Sequence, residues 1–501
     1  MKNQNNNPKH RTSYTKADID ASFYGGRKVG NKKVKQIIND LNVIKDATQK
    51  GAISDLAKQI ISASNKQVNC SLEEMSNLYV DKAVFVNPLS KEEELMCNKI
   101  NSVPFAAQDS NVSLVNKNYV YGFTDTYNSS SSMYRMVSPF NMINERFGHT
   151  NKIHCIIQDY IMTQEEILPI VRAFWFHCPL TTERLSQIRA YKNYQERYQY
   201  KLIVGLDDDL FDMPEWNNHV PLFVEQNTLV SCCNLVDEVV VSTEALKNVL
   251  KEVGVSTKIT VIENHISKGL FATDSSRYIE SSLRKPSVLI YSSDNHSGDF
   301  ESIKHFLTNR WNEYSISIMG VSKNKNGSYN LPDYLIPLVE EGKIKVYPKF
   351  SLSEYAYALR NIAPNFIVTP LVDCAFNRCK SDIAMITAFA VGALFIGQKF
   401  EDDSSPYDKS NNLFKDSGDL VVKLSDYKNN PEKFNDELAM QYSYLNSRWM
   451  DNTNNLLNYI KIFSDGIKGV SIPEENEAYD NLKDYLDENG YFCGETKKES
   501  K

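Results

Sequence analysis

The chain has 501 residues, 42% of them apolar and 24% charged, with a formal net charge of −7. That composition is ordinary for a soluble globular protein, and the length suits two or three domains with sizeable cores. It excludes a membrane-spanning protein, since no run approaches the roughly 18 apolar residues that a span requires. It also excludes a disulfide scaffold, since the nine cysteines are an odd number in a long chain and read as reduced thiols of a cytoplasmic protein.

The opening MKNQNNNPKHRTSY lacks the apolar core of a signal peptide. Residues 1–20 are polar and Asn-rich and read as a disordered arm. Residues 21–101 read as a helical extension. Val34, Ile37, Ile38, Leu41 and Ile44 recur at helix spacing, as do Ile53, Leu56, Ile60 and Ile61, and shorter helical pieces surround a strand at 83–86. Charge is uneven: residues 1–60 hold twelve Lys/Arg against five Asp/Glu, an excess of +7 that leaves −14 on the other 441. A basic head on an acidic body can meet nucleic acid or another polyanion; it can equally be a solvated helical face or a flexible arm.

From residue 102 strands alternate with helices. Strands are predicted at 119–123, 153–157, within 167–176, at 200–204, 236–242 and 259–262, with helices at 134–147, 180–197, 220–234 and 243–253. The strand at 200–204 runs into Asp207-Asp208-Asp209. Carboxylates at a strand's carboxyl end can fix an acceptor hydroxyl, act as a base or hold a divalent ion; alternatively one caps the next turn and the others are solvated. His265 reads as structural rather than catalytic.

A second set begins near Arg284. The strand at 288–291 leads into a small polar loop, Ser292 to Asp299, and a helix at 300–306. Ser292, Ser293 and His296 are candidates to face a diphosphate, although no clean glycine signature is present. Further strands fall at 314–319 (followed by Gly320), 343–347 and 365–371, with a helix at 351–359. The most informative stretch is Asn377–Gln398. A polar loop, Asn377 to Ser381, precedes the helix-period run Ile383, Met385, Ile386, Phe389, Ala390; Gly392 stops the run, and Leu394-Phe395-Ile396 reads as a buried strand. Lys380 and Arg378 fall at the positive end of that helix, where an anion is welcome; the plainer reading is a loop–helix–strand unit with two solvated cations. Cys374 and Cys379 flank the loop at a spacing that fits no common metal signature. Beyond it come a strand-like piece at 420–424 and helices at 431–445 and 453–463. The alternation, with a changeover near 270–285, predicts an α/β protein of two doubly wound Rossmann-like domains facing one cleft, with the extra N-terminal helical segment.

TPLVDCAFNRCKSDIAMITAFAVGALFIG resembles the nucleotide-sugar site of the GT-B glycosyltransferases, the family-four-like enzymes in particular, whose pattern is PLxD…FNxxKSxxKxxExxxxGxP. Asp373, Phe376, Asn377, Lys380, Ser381 and Gly392 match. The family's second lysine falls on Ala384, its proline on Leu394, and its ribose-binding glutamate on Thr387. Tyr134-Arg135 and the Pro, Asn and Phe-Gly that follow resemble the family's first helix, at the acceptor cleft; VVVSTEAL…VIENHI resembles the end of its first domain.

The resemblance covers roughly 130–465. It implies an acceptor-side domain at 102–280, a nucleotide-sugar-binding domain at 281–425, C-terminal helices crossing back at 426–470, and an acidic tail at 471–501. It implies a glycosyltransferase that uses a nucleotide diphosphate sugar, UDP-linked, as donor substrate, with retention of configuration, no metal and no tightly bound cofactor. Asp207, Asp208 and Lys380 are the catalytic candidates. Ser292, Ser293, His296, Gly320, Asp373, Asn377, Arg378, Lys380, Ser381 and Thr387 are the donor-binding ones. IVGLDDDLFDMP and the Asn/Lys-rich style resemble phage-encoded transferases, some of which glycosylate hydroxymethylated bases in their own DNA. Double-stranded DNA with hydroxymethylated pyrimidines is therefore the expected partner, with a surface polysaccharide or protein as the alternative acceptor. A sugar-nucleotide-binding module without turnover, with Thr387 in place of the acid, is the other class. A dinucleotide-dependent dehydrogenase is disfavoured because no GxGxxG follows any strand.

Overall fold

Strands such as Tyr-Val-Tyr-Gly-Phe-Thr, Val-Arg-Ala-Phe-Trp-Phe-His and Leu-Phe-Ile-Gly-Gln are apolar on both faces, which suits parallel strands covered by helices above and below. The computed structural model describes residues 117–125, 129–158, 165–217, 221–272, 277–324 and 327–478, all within one compact unit, Met96–Lys501. The arm and extension expected at 1–101, and the end of the acidic tail, lie outside the described residues.

Two parallel six-stranded sheets form two lobes. The first contains β1 (Tyr119–Thr124), β2 (His154–Gln158), β3 (Val171–His177), β4 (Lys201–Leu206), β5 (Glu238–Val241) and β6 (Ile259–Val261), in the order β2-β1-β3-β4-β5-β6. Its helices include α1 (Ser138–Phe147), α2 (Thr182–Tyr198), α3 (Phe223–Leu235) and α4 (Glu244–Glu252). The second contains β7 (Ser287–Tyr291), β8 (Ser315–Met319), β9 (Lys345–Tyr347), β10 (Phe366–Thr369), β11 (Leu394–Gln398) and β12 (Leu413–Phe414), in the order β12-β11-β10-β7-β8-β9. Its helices include α5 (Lys304–Asn309), α6 (Leu352–Ile362), α7 (Ile383–Ala390), α8 (Ser417–Asn429) and α9 (Pro431–Leu445). The second order is the doubly wound Rossmann arrangement, and the first follows the flavodoxin-like one with a sixth strand added. The expectation of two doubly wound domains is met.

The strands stack by aromatic packing. Phe174 of β3 lies parallel to Tyr191 of α2 with ring centroids 4.2 Å apart. On the other face Trp175 meets Phe140 of α1 and Phe463 edge-on. Trp175 also lies across β4, where a Cβ on Gly205 would come within 2.3 Å of the indole. The last helix, α10 (Thr453–Ser464), packs on α1 and β3 of the first lobe, whereas α9 stays on α7, α8 and β11 of the second. The chain therefore recrosses between Leu445 and Thr453. The return runs beside the outgoing link: Met450 N–H donates to Ile266 O at 2.8 Å and Ile266 N–H to Arg448 O at 3.2 Å.

Three local expectations are corrected. The strand predicted at 420–424 lies inside α8, because Asp416 caps Gly418 and Asp419, and Leu420, Leu424 and Tyr427 bury one helical face; the strand in this region is β12, just upstream. The loop at 377–381 begins as a helical turn, Ala375–Arg378, and α7 starts only at Ile383. The helix predicted at 300–306 is a 3-10 run, Asp294–Ile303, kinked at His296, leading into α5.

At the crossing, Arg448 is buried and bidentate to Asp382, at 2.5 and 2.8 Å, and donates to Asn264 O at 2.6 Å. Truncating one partner of such a pair strands a buried charge, at a typical cost of about 3–5 kcal/mol. Arg448→Met is expected to lose about that much in urea unfolding; a loss under about 1 kcal/mol would show that the pair does not hold the crossing.

Candidate active site

Open α/β sheets bind ligands outside the carboxyl ends of the strands, where strand order reverses. Those points fall between β1 and β3 in the first lobe and between β7 and β10 in the second.

The second-lobe half is organised by Asp299, which is 1% exposed. One of its oxygens accepts from Val372 N–H at 2.7 Å and from Asn377 Nδ2 at 2.9 Å, and the other lies 2.6 Å from His296 Nδ1. A single carboxylate thus ties the loop after β7 to the loop after β10. Asp294 does the same toward the loop after β8, accepting from Ser322 N–H at 2.8 Å and Ser322 Oγ at 2.6 Å. Gly320 closes the floor with φ +104°; a Cβ there would come within 2.1 Å of Ser292 O. Ser292 is buried, and Ser293 O accepts from His296 N–H at 2.9 Å.

Lys380 extends from this lobe to the other. Its Nζ lies 2.7 Å from Asp208 Oδ1 and 4.1 Å from the centroid of the Phe376 ring, so the ammonium keeps both a carboxylate and an aromatic face. The loop around it is pinned to first-lobe and linker residues: Thr243 Oγ1 donates to Cys379 O at 3.0 Å, and Asn264 Nδ2 to Ser381 Oγ at 2.8 Å. Trp216, from the loop after β4, rests on Gly298, where a Cβ would be 2.5 Å from the indole.

In the first lobe, Ser131 Oγ is hydrogen-bonded to Asp207 Oδ1 and lies 2.7 Å from His177 Nε2. Burial, then the neighbouring Asp208 charge, pushes Asp207 up to about 6, opposed by Ser131, Arg135 and Lys380. Burial, then the Arg135 charge, lowers His177 to about 3, so its ring is neutral. Arg135 is wholly buried in a π-helical stretch, Met133–Val137; its Nη1 donates to Ile262 O at 2.5 Å and Asn264 Oδ1 at 3.0 Å, while Nε and Nη2 have no partner. Asp209 caps the next turn, accepting from Phe211 N–H at 2.9 Å. Asp209 thus takes the capping role, and Asp207 and Asp208 lie beside Ser131 and Lys380.

The structure thus brings Asp207, Asp208 and Lys380 together, and gathers Ser292, Ser293, His296, Gly320 and Asn377 around one crevice. Arg378 and Asp373 are engaged elsewhere: Arg378 is bidentate to Asp373 at 2.6 and 2.9 Å and reaches Asp402 at 2.6 Å, all on exposed surface. Thr387 is 1% exposed and lies beside the buried Tyr134 phenol, which burial and then Tyr291 push well up. Asp299, Ser131 and His177 went unread in the sequence because no motif frames them; Arg135 was signalled only by the Tyr-Arg pair. Among the described residues no cluster of three or more His, Cys, Asp or Glu side chains could hold a metal ion.

No family model and no curated protein matches the sequence. Among solved structures, TarM of S. aureus aligns with a TM-score of 0.41 at 11% identity, over 58% of this chain and 55% of its own. The pneumococcal O-GlcNAc transferase GtfA, in complex with UDP and GlcNAc, aligns at 0.37 and 12%, over 58% and 56%. The S. aureus MnaA–UDP co-structure aligns at 0.39 and 12%, over 72% and 99%. The chain spans just over half the length of the first two. Likenesses this loose carry no functional information, so the chemistry must be read from this chain's own residues.

Asp299→Ala leaves several inward-facing donors without their acceptor and is expected to cost at least about 2 kcal/mol in thermal unfolding, while Arg378→Ala, at the exposed rim, should leave the melting temperature unchanged. Equal effects of the two would remove Asp299 from the centre of the loop network.

Proposed function

We propose that the protein is a glycosyltransferase that moves a sugar from a nucleotide diphosphate sugar, UDP-linked, to an acceptor hydroxyl. The observation that carries this reading is the juxtaposition of a second-lobe cation, Lys380, with the first-lobe carboxylates Asp207 and Asp208 at the carboxyl ends of both sheets. Group transfer to a hydroxyl gains from both charges. The acceptor oxygen bonds to the anomeric carbon while its proton passes to Asp207. The bond from that carbon to the diphosphate breaks, its electron pair leaves with the nucleotide, and Lys380 offsets the charge that develops there. Base and leaving-group cation are neighbours, so incoming and departing oxygens share one face of the sugar, which supports retention. Ser292, Ser293, His296, Gly320 and Asn377 form the donor crevice, with Ser381 at its edge. With Thr387 buried beside Tyr134, the donor's ribose is held without a carboxylate at that position, and Arg378 and Asp373 act from the rim.

For the acceptor we propose a hydroxymethylated pyrimidine in duplex DNA. The support is the excess of +7 in residues 1–60, which supplies phosphate contacts that the acidic remainder lacks. A paired base reaches the cleft only if flipped from the stack.

Nucleotide release by the full chain, with UDP-, GDP- and ADP-sugars and with or without hydroxymethylated duplex DNA, tests both statements. Release that needs DNA and falls steeply with salt supports both. Release indifferent to DNA keeps the transferase and moves the acceptor to a glycan or protein. No release from any donor, with UDP still raising the melting temperature, favours the non-catalytic binding module. Lys380→Ala should cost about 2–4 kcal/mol of transition-state stabilisation, as when one oxyanion partner is lost; turnover equal to the parent would falsify its role.

A further inference from the structure

The carboxyl ends of three adjacent strands, β1, β3 and β4, place three side chains in one hydrogen-bonded row. Ser131 follows β1, His177 ends β3, and Asp207 follows β4. The serines around Ser131 are used locally: Ser129 accepts from Ser132 N–H and caps the turn, and the Ser132 hydroxyl meets Thr124 Oγ1 at 2.9 Å. Ser131 alone among them is aimed at the pair, 2.7 Å from His177 Nε2 and bonded to Asp207 Oδ1.

A hydroxyl has one proton, and an ionised carboxylate has none to give. With Asp207 ionised, the row has a single direction: Ser131 donates to Asp207, so His177 must donate from Nε2 to Ser131. A neutral imidazole protonated at Nε2 satisfies this, and the burial of His177, 2% exposed, keeps it neutral. When Asp207 is protonated the row no longer has to run this way, since the carboxyl can donate as well as accept.

We infer that Ser131 and His177 are positioning residues for Asp207, fixing which of its oxygens is occupied and holding it ionised, so that Oδ2 is the atom that receives the acceptor's proton. This rests on the transferase reading. The charged and titratable groups facing Asp207 are Asp208 on its own loop, Arg135 after β1, Cys178 after β3 and Lys380 from the second lobe. Asp208 and burial favour the protonated form, and Ser131, Arg135 and Lys380 favour the anion. Removing the Ser131 hydroxyl therefore raises the proton affinity of Asp207, and an activity that needs the anion loses its acidic side at higher pH.

Two readouts separate this inference from the transferase reading. The first needs no turnover: carboxyl carbon NMR of the full chain labelled at aspartate, with Asp207→Asn to assign the signal. Asp207 should titrate near pH 6 in the parent, about one pH unit higher in Ser131→Ala, and as in the parent in Ser131→Thr, which keeps the hydroxyl. The second is the pH profile of kcat/KM in the nucleotide-release assay, whose acidic limb should move with the NMR midpoint; His177→Gln, which retains a donor, should move it less than His177→Phe. An Asp207 midpoint that is the same in Ser131→Ala and parent, in protein that melts normally, overturns the inference. So does a rate loss in Ser131→Ala with an unmoved limb. If the midpoint moves as expected but no variant releases nucleotide, the positioning stands and the transferase reading falls.

Discussion

The placement of Lys380 at the cleft depends on a buried guanidinium that must stay paired. Arg448 sits where the chain recrosses between lobes and holds Asp382, the residue at the start of α7, through two hydrogen bonds. A buried arginine without its carboxylate is far costlier than the pair is favourable, so the start of α7 is fixed relative to the crossing. Lys380 lies two residues earlier, and its approach to Asp208 inherits that placement. Asp382 also puts a carboxylate at the positive end of α7, already spoken for by Arg448 and Tyr444. The positive end of α7 is thus already met by this chain's own carboxylate.

The cleft's charges are balanced internally. Burial and the Asp208 charge raise the proton affinity of Asp207, and Arg135 and Lys380 offset this. In the proposed reaction, a donor phosphate that drew Lys380 away would leave Asp208 without its cation beside Asp207.

The sequence carries the lobes plainly, because β7, β10 and β11 are short, apolar on both faces and bounded by turn residues. It also carries Lys380, Ser381 and Asn377, which cluster within five positions. It misplaces 420–424, because Leu420 and Leu424 suit a strand until the Asp416 cap is recognised as a helix start. Asp299 is illegible for a different reason: beside His296 its partners are Val372 and Asn377, more than seventy positions away, and no local pattern marks a carboxylate chosen for distant donors. Ser131 lies in a run of serines whose members are indistinguishable until the sheet brings β1 beside β3. Arg378 shows the converse error, since proximity to Lys380 in sequence says nothing about which way a long side chain turns.

The contact between Trp216 and Gly298 sets a dimension. The indole lies on the glycine's Cα, and even a methyl group would intrude to 2.5 Å. The spacing of the two lobes at this point is therefore the thickness of one hydrogen atom on an aromatic plane. Any side chain at this position would act as a spacer, wedging the loop after β4 away from the loop after β7 and stretching the reach from Lys380 to Asp208. The half-buried indole, whose Nε1 has no hydrogen-bond partner among the described residues, thus ties the two loops by shape alone.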